Sequence, residues 1–327
     1  MKPSRVRSLL ENLLMTRWPV FLWGPPGIGK SSIVAQTASA LDLQLLDVRA
    51  ALLDPTDIRG IPSVESGRTV WCAPVFLPSD PDSKGVIFLD ELNAAPPLVQ
   101  TSLYQLTLDR RIGEYVLPDG WRIVAAGNRS GDGGVTFRLP SPLANRFIHA
   151  DVEPDLEDWC LWAAQANVHF LVVGFLNARP KLLFQPYTGQ DAFATPRSWE
   201  IVSDVLKQEE SPRAAADILP GIVGEGPAAE FIAYTKDAKR EEDFLKVLEN
   251  PEKAALPSKL NEQYALVAWL VNRAHRKGQI NAIGAILLRL KPEFGILLFR
   301  GVVAGDARAA THKTFQEFSN RHREVLV

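Results

Sequence analysis

At 327 residues the chain is too long for one small hydrophobic core, and its length suggests about two domains. Its 46% hydrophobic and 23% charged residues are those of an ordinary globular protein, and 36 basic against 38 acidic residues give a formal charge of −2, with no basic footprint that would make nucleic acid an expected partner. Cys72 and Cys160 form no disulfide framework at this length and read as reduced, half-buried thiols of a cytoplasmic protein, and the five histidines have no zinc-like spacing.

The first half alternates helical and strand-like signals. Apolar residues recur at helical spacing from Ser4 to Leu14. Val20–Trp23 is a short apolar run ending at Gly24, the pattern of a buried strand. A helix follows from Lys30 to Leu41, and a strand from Leu43 to Val48. Val86–Leu89 is a second buried strand, and two acids close it. Pro96–Leu108 reads as a helix with proline at its start, where the missing N–H costs nothing. Trp121–Ala126 is a further strand. Strands separated by helices predict a parallel α/β sheet covered on both faces.

From about Pro154 the pattern is helical, punctuated at Arg179-Pro180, Gln185-Pro186, Leu219-Pro220-Gly221 and Gly224-Glu225-Gly226. Tyr264–Ala274 and Ile283–Leu290 are strongly apolar helices. The stretch from Trp159 to Ala178 has no charge and is long enough to suggest a membrane span. It holds Gln165, Asn167, His169 and Asn177, and reads as two short buried helices meeting near Asn167. The basic N-terminus has no apolar signal region behind it. Boundaries near Asp151–Pro154 and Lys239–Asp243 divide the chain into an α/β domain (1–152), a helical domain (153–240) and a C-terminal helical region (241–327). That last region is either part of the helical domain or an element for oligomer or partner binding.

Gly24-Pro25-Pro26-Gly27-Ile28-Gly29-Lys30-Ser31 matches G-x-x-x-x-G-K-[ST] between a strand and a helix, the context that makes it a phosphate-binding loop. The glycines let backbone N–H groups turn inward onto phosphate oxygens, and the helix N-terminus that continues through Ser32 adds positive partial charge. Lys30 reaches the β- and γ-phosphates, and the Ser31 hydroxyl binds Mg²⁺. In Val86-Ile87-Phe88-Leu89-Asp90-Glu91 the strand delivers two carboxylates to the same sheet edge. Asp90 is suited to hold the Mg²⁺ through water, and Glu91 to orient the attacking water. Phosphoryl transfer needs positioning and charge neutralisation above all. Three later residues fit that need: Asn128 at the end of a strand, Arg146 on a short helix before another strand, and Arg197 at the opening of a helix.

With these residues in place the first two-thirds of the chain, about Arg5 to Leu206, resembles an AAA+ ATPase, and within that class the MoxR-type branch. Gly24–Ser31 is similar to the Walker A motif and Val86–Glu91 to Walker B. The resemblance makes Asn128 the first sensor. It makes Arg146, in Leu143-Ala144-Asn145-Arg146-Phe147, the arginine finger that reaches a neighbouring subunit's ATP, with nearby Arg138 as a rival. Arg197 becomes the lid sensor. Asp54–Gly60 with Gly67–Trp71 resembles the β-hairpin inserted into the second helix, and Arg111–Tyr115 through Gly120 the hairpin inserted before the first sensor. Ala94 and Ala95 stand where that branch commonly carries an arginine after Asp-Glu-x-Asn. The resemblance implies Mg²⁺-dependent ATP hydrolysis, a ring that is usually a hexamer, and remodelling of a partner that often carries a von Willebrand factor A domain. Two other readings stand beside it: a nucleotide-gated scaffold with little turnover, and a DNA-directed motor.

Overall fold

The computed structural model describes residues 1–326 apart from 135, 210–211, 238–240, 275 and 277. The described chain forms two compact units, Met1–Glu153 with Pro186–Gly189, and Pro154–Gln185 with the chain from Gln190 onward.

The first unit is built on a five-stranded, all-parallel sheet: β1 (Val20–Trp23), β2 (Gln44–Arg49), β3 (Lys84–Asp90), β4 (Gly120–Gly127) and β5 (Ile148–Asp151), in the spatial order β2-β3-β4-β1-β5. All four residues of β1 and the run Gly85–Leu89 of β3 are buried, so these strands read as continuous apolar runs rather than alternating ones. Phe21, Ile87, Leu89, Ile123 and Ala125 pack into one cluster with Val99, Leu103 and Leu106 of the helix Pro97–Asp109. Leu22, Phe88 and Val124 alternate with them and are also buried, and the helix Lys30–Ala40 packs on β3 and β4. Both faces of the sheet are thus covered, as the alternation of strands and helices predicts.

Two small hairpins stand outside the sheet. Ile61–Glu65 pairs with Arg68–Cys72, and Arg111–Ile112 with Tyr115–Val116. The first turns at Ser66-Gly67, both with positive φ (50° and 74°), the conformation that suits the twist of a tight hairpin. It follows the five-residue helix Pro55–Arg59, but residues 73–83 after it are turn and coil. The hairpin is therefore not set within a helix that resumes, because Pro74 and Pro78 interrupt that stretch.

The second unit is helical. Phe175, Trp199, Phe231, Tyr234, Phe244, Trp269, Phe294 and Phe315 belong to one buried cluster. Residues on both sides of position 240 share that core: Phe244 meets Phe170 edge-on at 6.2 Å and Trp269 at 5.7 Å. The expected boundary at Lys239–Asp243 begins on residues outside those described. The uncharged stretch from Trp159 to Ala178 lies in two helices, Leu156–Gln165 and Phe170–Ala178, and Asn167 takes φ 52° between them, where asparagine tolerates a left-handed turn better than most residues. Among the described residues no helix is long and apolar enough to cross a membrane. Cys160 is half-buried, whereas Cys72 is exposed on the first hairpin rather than half-buried.

Candidate functional site

Strand β1 delivers Trp23 and then the loop Gly24–Gly29 to the C-terminal edge of the sheet, where open parallel sheets place their ligands. Gly27 and Gly29 have φ of 75° and 93°, conformations that a side chain would strain. Gly24 is needed for a different reason: a Cβ there would lie 2.7 Å from the Val152 carbonyl oxygen. The loop leads into the helix Lys30–Ala40, and a helix N-terminus is suited to bind anions through its first N–H groups. Ile28 anchors the loop in the core, Pro25, Pro26 and Ser31 are half-exposed, and Ser32 is exposed. The Lys30 side chain is buried. Its Nζ donates to the carbonyls of Gly24 (2.6 Å) and Pro25 (2.9 Å) and to Asn128 Oδ1 (2.9 Å). One ammonium thus links the loop to the end of β4, 98 residues further on.

Strand β3 ends at half-exposed Asp90, whose Oδ1 accepts the Glu91 N–H at 3.0 Å. Glu91 takes the left-handed conformation (φ 54°, ψ 35°) and projects an exposed carboxylate. A non-glycine residue held there stores strain of about 1 kcal/mol or more, a cost met most often at functional positions. On the neighbouring strand, Asp47 is held above the usual carboxylate range, by partial burial first and by the negative charge of Asp90 second, with Arg49 opposing.

The C-terminal end of β4 is fixed by a residue the sequence did not single out. Asn93, 4% exposed, donates from Nδ2 to the Asn128 carbonyl (2.8 Å) and accepts the Asn128 N–H on Oδ1 (3.2 Å). Its own carbonyl accepts the Phe137 N–H at 2.7 Å. In the sequence it is only the last residue of Asp-Glu-x-Asn, a spacing that does not reveal what it bonds.

The arginines are placed differently from one another. Arg146 lies past the end of the helix Ser141–Ala144 rather than on it, in a turn closed by its own N–H to the Leu143 carbonyl at 3.1 Å. The helix is a single turn, with Pro140 at its N-cap and Pro142 in its first turn, where proline is tolerated. Arg138 and Arg146 are exposed, and neither side chain makes a hydrogen bond or ion pair among the described residues. Arg197 belongs to the helical unit, exposed at the second position of the helix Pro196–Gln208, whose start is fixed by reciprocal bonds between Thr195 and Ser198.

Trp23, Arg129 and His149 also escaped sequence reasoning. The Arg129 guanidinium sits 4.3 Å over the Trp23 ring and is bonded to Asp151. The Trp23 indole donates to His149 Nδ1 at 2.8 Å, and His149 Nε2 lies 2.8 Å from the Ala144 carbonyl. In that pair Nδ1 accepts from the indole and Nε2 is the nitrogen that faces a carbonyl acceptor. Trp23 before the glycine loop, Arg129 after Asn128 and His149 three residues past Arg146 are thereby packed as one aromatic–cationic group.

Comparison with known proteins agrees with this geometry. Residues 19–147 match the family described as AAA domain, dynein-related subfamily. Midasin of Giardia intestinalis is 31% identical over 198 residues, an alignment that takes in 55% of this chain and 4% of midasin, so the chain spans a small part of that relative's length. Among solved structures, the RuvB Holliday junction branch migration motor of Thermotoga maritima aligns with a TM-score of 0.40 and 18% identity over 86% of this chain and 85% of its own. NtrX of Brucella abortus aligns with a TM-score of 0.40 and 16% identity over 97% of this chain and 67% of its own. A phosphate-binding loop, a strand ending in Asp-Glu and a family match that takes in β1 to β4 agree on one point: residues 19–147 match an AAA domain of the dynein-related subfamily.

Proposed function

We propose that the chain hydrolyses ATP with Mg²⁺ as a subunit of a ring, hexameric by the habit of the MoxR-type branch, and uses the cycle to remodel a partner protein. The observation that carries this reading is the exposed, unengaged Arg146 on the same unit as a complete Walker A and B pair. A cation displayed to solvent beside such a site is suited to complete the site of a neighbour, and an arginine in that role is worth roughly 10³–10⁵ in rate. Within each subunit Lys30 holds the β- and γ-phosphates, Glu91 orients the attacking water, and Asn128 bonds the water or the γ-phosphate. Arg197 senses the phosphates from a lid that spans 153–240.

Ser31 and Asp90 are the residues that would hold Mg²⁺. Bound there, the ion would neutralise charge developing on the phosphate oxygens.

The first hairpin is the client-facing element in this reading. Ile61, Val64 and Trp71 are 71%, 77% and 43% exposed on it, an apolar display that favours a protein partner, such as a von Willebrand factor A domain, over nucleic acid. The test is steady-state ATP hydrolysis across protein concentration for wild type, Glu91→Gln, Arg146→Ala and Arg138→Ala. Specific activity should rise with concentration, Glu91→Gln and Arg146→Ala should lose it while still binding ATP, and Arg138→Ala should keep it. Activity independent of concentration in a monomer, or an active Arg146→Ala, would overturn the shared-site reading.

A further inference from the structure

We infer that Asn93 is a positioning residue for hydrolysis, holding the turn that bears Glu91 and the backbone of Asn128 as one rigid body. The inference rests on the roles proposed above for Glu91 and Asn128. A side-chain amide matches a peptide unit donor for acceptor, and Asn93 uses both of its groups on a single residue: Nδ2 to the Asn128 carbonyl, Oδ1 from the Asn128 N–H. Such a two-point clamp fixes orientation as well as distance, which one bond does not. On the other side Asn93 is two positions from Glu91, and the intervening turn is closed by the Ala94 N–H on the Glu91 carbonyl at 2.8 Å. Asn128 in turn bonds Lys30 through Oδ1. Movement of Asn93 would therefore displace the groups at the end of β3 and at the end of β4 relative to each other.

The strand is shaped to admit this clamp. A Cβ at Gly127 would stand 2.2 Å from Asn93 Oδ1 and 2.8 Å from its Cγ, so the residue before the sensor has no side chain where the amide crosses. Gly127 lies in extended strand and is absent from the positive-φ positions, so its backbone does not demand glycine; the close approach of the amide does. Burial adds a further constraint, because an amide so enclosed costs stability unless its bonds are made, and they are made only in this pose.

Misplacing a group by about 1 Å costs on the order of 10²-fold in rate. Asn93→Ala should therefore lower kcat roughly 10- to 100-fold, while the Kd for a fluorescent ATP analogue stays within about 3-fold, since Lys30 and the loop remain. The Asn128 amide proton should exchange faster by at least about tenfold, a readout independent of activity. Gly127→Ala should reproduce the loss in kcat, yet add less than about 3-fold on top of Asn93→Ala, because both approaches under 3 Å are then gone and only the tight contact with Phe21 Cε1 at 3.0 Å is left.

Glu91→Gln is run beside them. An active Glu91→Gln overturns the assignment on which the inference rests; an inactive Glu91→Gln with a folded Asn93→Ala within about 3-fold of wild-type kcat overturns the inference alone. Additive losses in the double variant also overturn it. Should Asn93→Ala fail to fold, Asn93→Ser is judged by the same numbers, and failure of both to fold overturns the inference, since the clamp would then serve folding rather than the reaction.

Discussion

Lowering the pH from 7 to 5 should loosen the helical unit, and the cause can be traced to one side chain. His169 precedes the helix Phe170–Ala178 and caps it: Nδ1 accepts the Leu171 N–H at 3.2 Å. Its own N–H donates to Ser203 Oγ at 2.8 Å, which ties this helix start to the helix opened by Arg197. A protonated ring cannot accept on Nδ1, and the ring stacks on Phe170 at 4.8 Å rather than facing water. Burial, opposed by Glu241 and aided by Lys207, pulls the imidazole from 6.5 down to about 4. A depressed histidine binds its proton in the unfolded chain first, so the unfolded state holds more protons between the two values and stability falls as pH falls through that window. The loss between pH 7 and pH 5 is on the order of 2 kcal/mol, almost all of it below pH 6.5. The assay is urea unfolding of the full chain followed by circular dichroism, at half-unit steps, for wild type and for His169→Asn. The asparagine carbonyl can keep the cap but does not titrate in this range. Wild type should lose about 2 kcal/mol more than the variant over the interval. Parallel pH profiles for the two proteins would refute the reasoning.

Three further outcomes follow from close approaches and exposure. Gly60→Ala places a Cβ 1.9 Å from the Cys72 carbonyl oxygen at φ 81°; the added strain of about 1–3 kcal/mol should speed limited proteolysis in 61–72 by tenfold or more while leaving the melting of the sheet unchanged. Gly174→Ala sets a Cβ 2.5 Å from the Tyr234 hydroxyl and 3.1 Å from the Ala265 Cα, where two helices cross, and should cost about 1–3 kcal/mol, read as a lower unfolding midpoint of the helical unit. The two thiols should separate kinetically in a disulfide-exchange reagent at pH 8. Cys72 is exposed, while burial pushes the Cys160 thiol up to about 12, leaving a thiolate fraction of about 10⁻⁴, so a native protein that released two equivalents in one fast phase would contradict this.

What could be read from the sequence was whatever is local. The glycine loop, the strand with two acids behind it and the break at Asn167 each carry their chemistry within a few residues, and each is where the pattern put it. Strand ends were read one or two residues short, because apolar runs signal the buried middle of a strand and not Lys84, Gly120 or Gly127 at its margins. Arg146 was assigned to a helix because no local signal marks where so short a helix gives way to a turn. Asn93 and His149 were invisible for a different reason. Each acts on a partner 35 and 126 positions away, and a single sequence holds no trace of which asparagine meets which strand end.

The second hairpin is pinned at its root. Arg110 bonds the carbonyls of Pro118 and Trp121, and the Tyr115 hydroxyl bonds that of Pro78. Strand β4 starts beside this root and ends against Asn128, a length of about 26 Å for its eight residues. It is the central strand, hydrogen-bonded to β3 along one side and to β1 along the other. Such a strand cannot slip by a fraction of a register, since the next set of bonds lies two residues, about 7 Å, away. It behaves as a rod clamped along its length, stiff to stretching and to sliding. Any displacement begun at its Asn128 end can therefore reach the hairpin only as tilt or rotation of the sheet, a torque delivered through the fold instead of a pull.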